Sequence, residues 1–285
     1  MMLRRILVPV RGDGMGETLM AYAAQLAHLH KGHIVVAHCR FEPDKMRPYA
    51  STMPGFARKT MMAQATELAN QEEQALREAL HGIAENLDLK ETENPDGTQA
   101  TVSFVEETGR MADVIKHNGR LADLIVVSKP SRDRNLGVNS LKSALFETGR
   151  PVLMCPKDHG PTDGLGKRVA IAWNGSLEAA RTVGLTLPIV ETADEITVLS
   201  GGKEEIHGAT TEELVAYYAL RGIDAKIHRF SAQKPHEALL SKTAEVGANL
   251  LIMGAYGQGH GREALFGGNT QAVVDTAEIP VLMAH

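Results

Sequence analysis

The chain has few cysteines, no excess of basic charge, no long apolar run and no hydrolytic motif. Only Cys39 and Cys155 occur among its 285 residues, and their spacing is not that of metal ligands. A chain of this length needs no disulfide staple, so both are expected to be structural thiols in a reducing compartment. The net charge of −5 and pI near 6.2 supply no field able to neutralise several nucleic-acid phosphates, which argues against nucleic acid as a partner. No stretch approaches the ~18 consecutive apolar residues of a membrane span. The opening "MMLRRILVPVRGDG" begins like a leader, yet its apolar run from Ile6 to Val10 stops at Arg11, so it reads as a strand. None of the 12 histidines stands in a His-Glu-x-x-His pattern, and no serine sits in a Gly-x-Ser-x-Gly elbow. His28, His30, His33 and His38 cluster around the end of a helix and the start of a strand, where capping is the expected role. These absences point to a cytoplasmic, non-membrane protein with no evident catalytic machinery.

What is present is an internal repeat. Hydrophobic residues at 43% and charged residues at 23% are those of a globular protein, and the length is near twice a ~150-residue domain. "RRILVPVRGDG" at 4–14 is answered by "KRVAIAWNGS" at 167–176, and "GHIVVAHC" at 32–39 by "DEITVLSGG" at 194–202. "GRLADLIVVSKPS" at 119–131 parallels "EVGANLLIMGAYG" at 245–257, and "RPVLMCP" at 150–156 parallels "IPVLMAH" at 279–285. A further strand is expected in each half, at Thr101 to Val105 and at Ala225 to Phe230.

Between the strands, apolar residues recur at helical spacing, as in Leu68, Leu76, Leu80, Ile83 and Leu87 and in Leu214, Tyr218 and Ala219. Thr210 and Glu213 form a capping-box pattern ahead of the latter helix. Short Val/Ile/Leu-rich runs alternating with helices predict parallel sheets covered on both faces. The fold class is therefore α/β, with two tandem doubly wound parallel five-stranded sheets of Rossmann-like type. The composition shift in "PKDHGPTDGLGK" places a linker at 157–166, between domains at 1–156 and 167–285. Such sheets bind ligands beyond the carboxyl ends of their strands, where strand order reverses.

The stretch most in need of explanation is "LLIMGAYGQGHGREALFGGNT" at 250–270, a strand followed by closely spaced glycines. Together with the four repeated strand anchors, it resembles the universal stress protein family in its tandem form, and the resemblance spans essentially the whole chain. Nucleotide-binding members carry Gly-x-x-Gly, nine residues, then Gly followed by Ser or Thr. Here Gly254 and Gly257 supply the first part and Gly267 closes the spacing, while Gly268 stands in place of the hydroxyl residue, with Asn269 and Thr270 behind it. The Asp that ends the first strand in such members is Asn174 in the second half and Arg11 in the first.

The resemblance implies binding of ATP or another adenine nucleotide, with or without Mg²⁺, at Ala172, Asn174, Leu199, Met253, Gly254, Gly257, Gly267, Gly268, Asn269 and Thr270. Glycine permits the close approach of a phosphate to backbone N–H groups, and the helix opening at Gly268 would present its N-terminus to an anion. His260 and Arg262 lie between these walls and are either phosphate ligands or solvent-exposed. Leu199 and Met253 are either a surface beside the base or core residues. Asn174 and Ser176 are also good helix-capping residues. In the first half, "SKPSRDRNLGVNS" at 128–140 keeps only Gly137, and Pro130 removes a donor, so that half reads as a degenerate site. Lys129, Arg132 and Arg134 form a basic loop there.

The resemblance also implies that the halves pack as a pseudo-dimer with the last strands, Pro151 to Cys155 and Pro280 to Ala284, near the pseudo-twofold. The resulting expectation is a stress-response sensor or regulator read by a protein partner, able to form a homodimer, and not an enzyme. Two rivals stand beside it: a ligand-free interaction module with lapsed sites, and a slow ATPase.

Overall fold

The computed structural model describes residues 2–11, 13–40, 55–131, 137–157, 159–201, 208–231, 235–255 and 268–285. In the first half the order is β1 (Arg5–Val10), α1 (Gly16–His30), β2 (His33–Arg40), α2 (Gly55–Asn86), β3 (Lys90–Glu91), β4 (Thr101–Thr108), α3 (Met111–Gly119), β5 (Leu124–Ser128), α4 (Val138–Glu147) and β6 (Val152–Cys155). The second half continues with β7 (Arg168–Ala172), α5 (Leu177–Val190), β8 (Glu195–Gly201), α6 (Thr211–Ala219), β9 (Lys226–Phe230), α7 (Pro235–Glu245), β10 (Leu250–Gly254), α8 (Gly268–Thr276) and β11 (Val281–Ala284).

The strands form one sheet in the order β3-β4-β2-β1-β5-β6-β11-β10-β7-β8-β9. Every pairing within a half is parallel, and only β6 with β11 is antiparallel, with Leu282 opposite Leu153. Strand order therefore reverses twice, between β1 and β5 and between β7 and β10. The central strands are buried on both faces, which is why they read as continuous apolar runs and not as alternating ones. One apolar layer lies under α1, α2, α5 and α6, the other under α3, α4, α7 and α8, and each runs through both halves.

The structure departs from the expected pattern in three places. The two sheets are one, because β6 and β11 satisfy each other's edges. Two-residue β3, too short and polar to be anticipated, adds a sixth strand to the first half. Leu68, expected on the packed face of α2, is 60% exposed. The 32-residue helix spans about 48 Å, whereas the eight-residue strands beneath it span about 27 Å. Only its later part, including Leu80 and Ala84, reaches the core.

The segment between the halves is bonded to both. Tyr22 Oη donates to the His159 carbonyl, Gln25 Oε1 accepts from Leu165 N, and Asn249 accepts from Gly166 N and donates to the Gly164 carbonyl. Leu165 is itself buried.

Candidate functional site

The second-half crevice begins where β7 ends. Ala172, Leu199 and Met253 are register partners in one row across β7, β8 and β10, near the carboxyl ends of those strands. Leu199 is 1% exposed and Met253 7%, and both belong to the apolar layer under α7 and α8. Beyond Ala172 the chain turns through Trp173, Asn174 and Gly175 into α5. Gly175 has φ +70°, a conformation that favours glycine. Asn174 is exposed, and its Oδ1 accepts from Ser176 N at 3.1 Å. Ser176 then caps α5 by accepting from Ala179 N at 3.2 Å. Both capping roles are thus present. The Asn174 oxygen gives one lone pair to the turn, and its second lone pair and its amide donors remain for a ligand.

Trp173, which the sequence reading did not single out, braces this turn. It is 6% exposed, and its indole Nε1 donates to the Ala209 carbonyl at 2.9 Å. Its signal was its uniqueness: it is the single tryptophan, immediately ahead of Asn174 and Gly175. The neighbouring Gly208 has no room for a side chain, since a Cβ there would lie 2.1 Å from the Gly175 carbonyl oxygen.

Across the reversal point, Gly254 ends β10. A Cβ on it would lie 2.5 Å from Ala179 N and 2.7 Å from Glu178 C, so glycine is required there for α5 to close on the sheet. This packing need exists whether or not a phosphate approaches. Glu178 is itself 7% exposed, with Oε2 lacking a hydrogen-bond partner. Ala255 continues the sheet by donating its N–H to the Ala284 carbonyl. On the far wall α8 opens with Gly268, Asn269 and Thr270; Asn269 is exposed, Thr270 buried, and the first turn carries no acid. Gly257, His260, Arg262 and Gly267 lie outside the described residues.

In the first half, Arg11 follows β1 at the place corresponding to Asn174, and its Nη2 donates to Ser140 Oγ at 2.6 Å. Lys129 belongs to the seam between the halves: its Nζ donates to the Ala277 carbonyl at 2.8 Å, just past the end of α8. Arg132 and Arg134 lie outside the described residues. The four clustered histidines have separate settings. His28 bonds to the Leu87 carbonyl, His33 to Thr101 and Ser103, and His38 lies 2.8 Å from Glu73, while His30 is buried. No group of three or more His, Cys, Asp or Glu is placed to hold a metal among the described residues. Neither cysteine is in a disulfide, and burial holds the Cys155 thiol well above its ordinary pKa. No described helix is long and apolar enough to cross a membrane.

Fold and crevices together define a doubly wound α/β protein with two strand-order reversals, the places where sheets of this kind open a crevice. The model of the universal stress protein family matches residues 169–285, in the second half of the chain. A universal stress protein from Archaeoglobus fulgidus DSM 4304 is similar in structure, with a TM-score of 0.69 and 19% identity over 98% of this chain and 95% of its own. A functionally unknown protein from Pseudomonas aeruginosa PAO1 has a TM-score of 0.58 and 17% identity over 99% and 92%. The cytoplasmic domain of a prokaryotic cation chloride cotransporter shares the fold as well, at TM-score 0.50 and 11% identity over 99% and 95%. Fold alone thus does not assign function. No curated protein matches.

Proposed function

We propose that the second half, 167–285, binds an adenine nucleotide such as ATP in the crevice between β7 and β10, and that the chain is a cytoplasmic regulator and not an enzyme. The observations that support this reading are the exposed Asn174 amide beyond β7 and the acid-free first turn of α8, the helix that follows β7's sheet neighbour β10. The amide would donate to an acceptor on the base or ribose. The α8 N-terminus, with Asn269 and Thr270, would receive phosphate, and Gly254, Gly257, Gly267 and Gly268 would allow its approach. Ala172, Leu199 and Met253 would form the apolar floor. Mg²⁺ arriving with ATP would be held by the phosphates themselves, since the described residues offer no cluster for it. Binding would order the crevice and alter a surface read by a protein partner, and two chains would associate as a homodimer.

Thermal melting of the full chain with ATP, ADP and AMP tests this. A ligand at 100 times its Kd stabilises the native state by about 2.7 kcal/mol, and Gly257→Val is expected to abolish the shift. Melting curves unmoved by all three nucleotides would favour the second reading, an interaction module with a lapsed site. Gly268 in place of a hydroxyl residue, and Asn174 in place of an Asp at the end of the first strand of that half, are the observations on that side.

A further inference from the structure

The turn that carries Asn174 is bonded to two helices, and the two are held to the sheet unequally. Toward α5 the ties are the hydrogen bonds of the Asn174 and Ser176 side chains. Toward α6 they are the Trp173 Nε1 bond to the Ala209 carbonyl at 2.9 Å and the fit of Gly208 against the Gly175 carbonyl oxygen, which a Cβ would approach to 2.1 Å. Ala209 immediately precedes Thr210, whose capping box with Glu213 fixes the first turn of α6, so the contact at Ala209 is carried directly into the helix. α5 buries eight of its 14 residues and packs on the inner strands β10 and β11. α6 buries only three of nine, Thr211, Leu214 and Tyr218, and lies over β8 and β9 at the end of the sheet. Its largest anchor is imperfect: Tyr218 is fully buried, yet its hydroxyl has no hydrogen-bond partner, so the water bonds lost on docking are not replaced. A displacement of the turn would therefore be taken up by α6 before α5.

We propose that Trp173 couples occupancy of the second-half crevice to the position of α6, making this helix the element that reports bound nucleotide at the surface. The inference rests on nucleotide binding in that crevice and adds which element responds to it. A ligand engaging the exposed Asn174 amide would shift or stiffen the turn, and the indole, wedged in the core at 6% exposure, would pass that change to Ala209 through its N–H. The contacts from turn to helix are contiguous, as transmission of this kind requires. The surface affected carries Leu220, 86% exposed at the end of α6, and the Arg221 guanidinium 3.8 Å from the centroid of the Tyr217 ring. By reciprocity, a partner that binds more tightly to the nucleotide-bound position of α6 would raise nucleotide affinity by the same factor.

Amide hydrogen exchange of the full chain with and without saturating ATP tests this, with calorimetry in parallel to measure occupancy. ATP is expected to slow exchange in α6 about fivefold or more, the lower end of ordinary coupling between sites. Trp173→Phe keeps a ring in the core and removes the N–H, and at matched occupancy the response of α6 should be lost. Gly208→Ala, a change at an exposed position, pushes the start of α6 off the Gly175 carbonyl and should weaken the response without touching the indole. Nucleotide bound with exchange in α6 unchanged would overturn the coupling and leave the binding reading intact. A full response retained in Trp173→Phe or, should that variant not fold, in Gly208→Ala would do the same. No binding of ATP, ADP or AMP by the natural chain would overturn the binding reading and the coupling with it.

Discussion

At the residue scale, Gly254 and Asn174 carry the most exact consequences. Gly254→Ala would drive a methyl group into the backbone of Glu178 and Ala179, an overpacking expected to cost about 1–3 kcal/mol and measurable by urea unfolding. Asn174→Asp keeps the side-chain oxygen on Ser176 N and adds a carboxylate acceptor at an exposed position. Stability should change by less than about 0.5 kcal/mol, while affinity for ATP, followed by calorimetry, should change clearly. The residue types at this turn were legible in the sequence because capping is local chemistry. Which of the Asn174 atoms is spent was not legible, since that depends on the conformation of the turn. The role of Lys129 was not legible for a related reason: its partner, the Ala277 carbonyl, lies on the other half of the chain, and no local pattern announces it.

At the scale of elements, the strand anchors and the α6 capping box were readable because buried parallel strands are continuous apolar runs and caps have fixed spacing. Thr210 and Glu213 do exchange both hydrogen bonds. Thr210→Ala should accordingly cost about 1 kcal/mol by denaturant unfolding, and Ser176→Ala at the start of α5 a similar amount. The outer part of α2 was the element least legible, because apolar spacing marks a face but not how far the sheet beneath it extends. The junction of α1 with β2 makes stability depend on pH. Burial lowers the pKa of His30, with Arg4 adding to the effect, and burial lowers that of His33, with Arg5 adding there. The folded chain keeps these rings neutral where the unfolded chain protonates them near pH 6.5. Stability should therefore be full above that pH and fall as pH drops through it, by at most about 1.4 kcal/mol per unit for each ring. His33→Gln, able to keep a bond to Thr101 or Ser103, should flatten the fall when urea midpoints are compared between about pH 7.5 and about pH 5.5.

At the scale of the whole molecule, the repeat foretold two similar halves, and the packing of their last strands followed from the family resemblance. The pairing of β6 with β11 removes two wholly buried edges, "VLMC" and "VLMA", from contact with water. Residues 165–285 alone would leave Val281–Ala284 uncovered. Such a fragment is expected to self-associate on size-exclusion chromatography, and Leu282→Lys to suppress it. The antiparallel seam also sets the direction in which each half looks. The carboxyl ends of the six parallel strands of the first half emerge at one rim of the sheet and those of the five strands of the second half at the opposite rim. Molecules bound at the two rims could not compete for space, and a protein gripping one rim would leave the other uncovered.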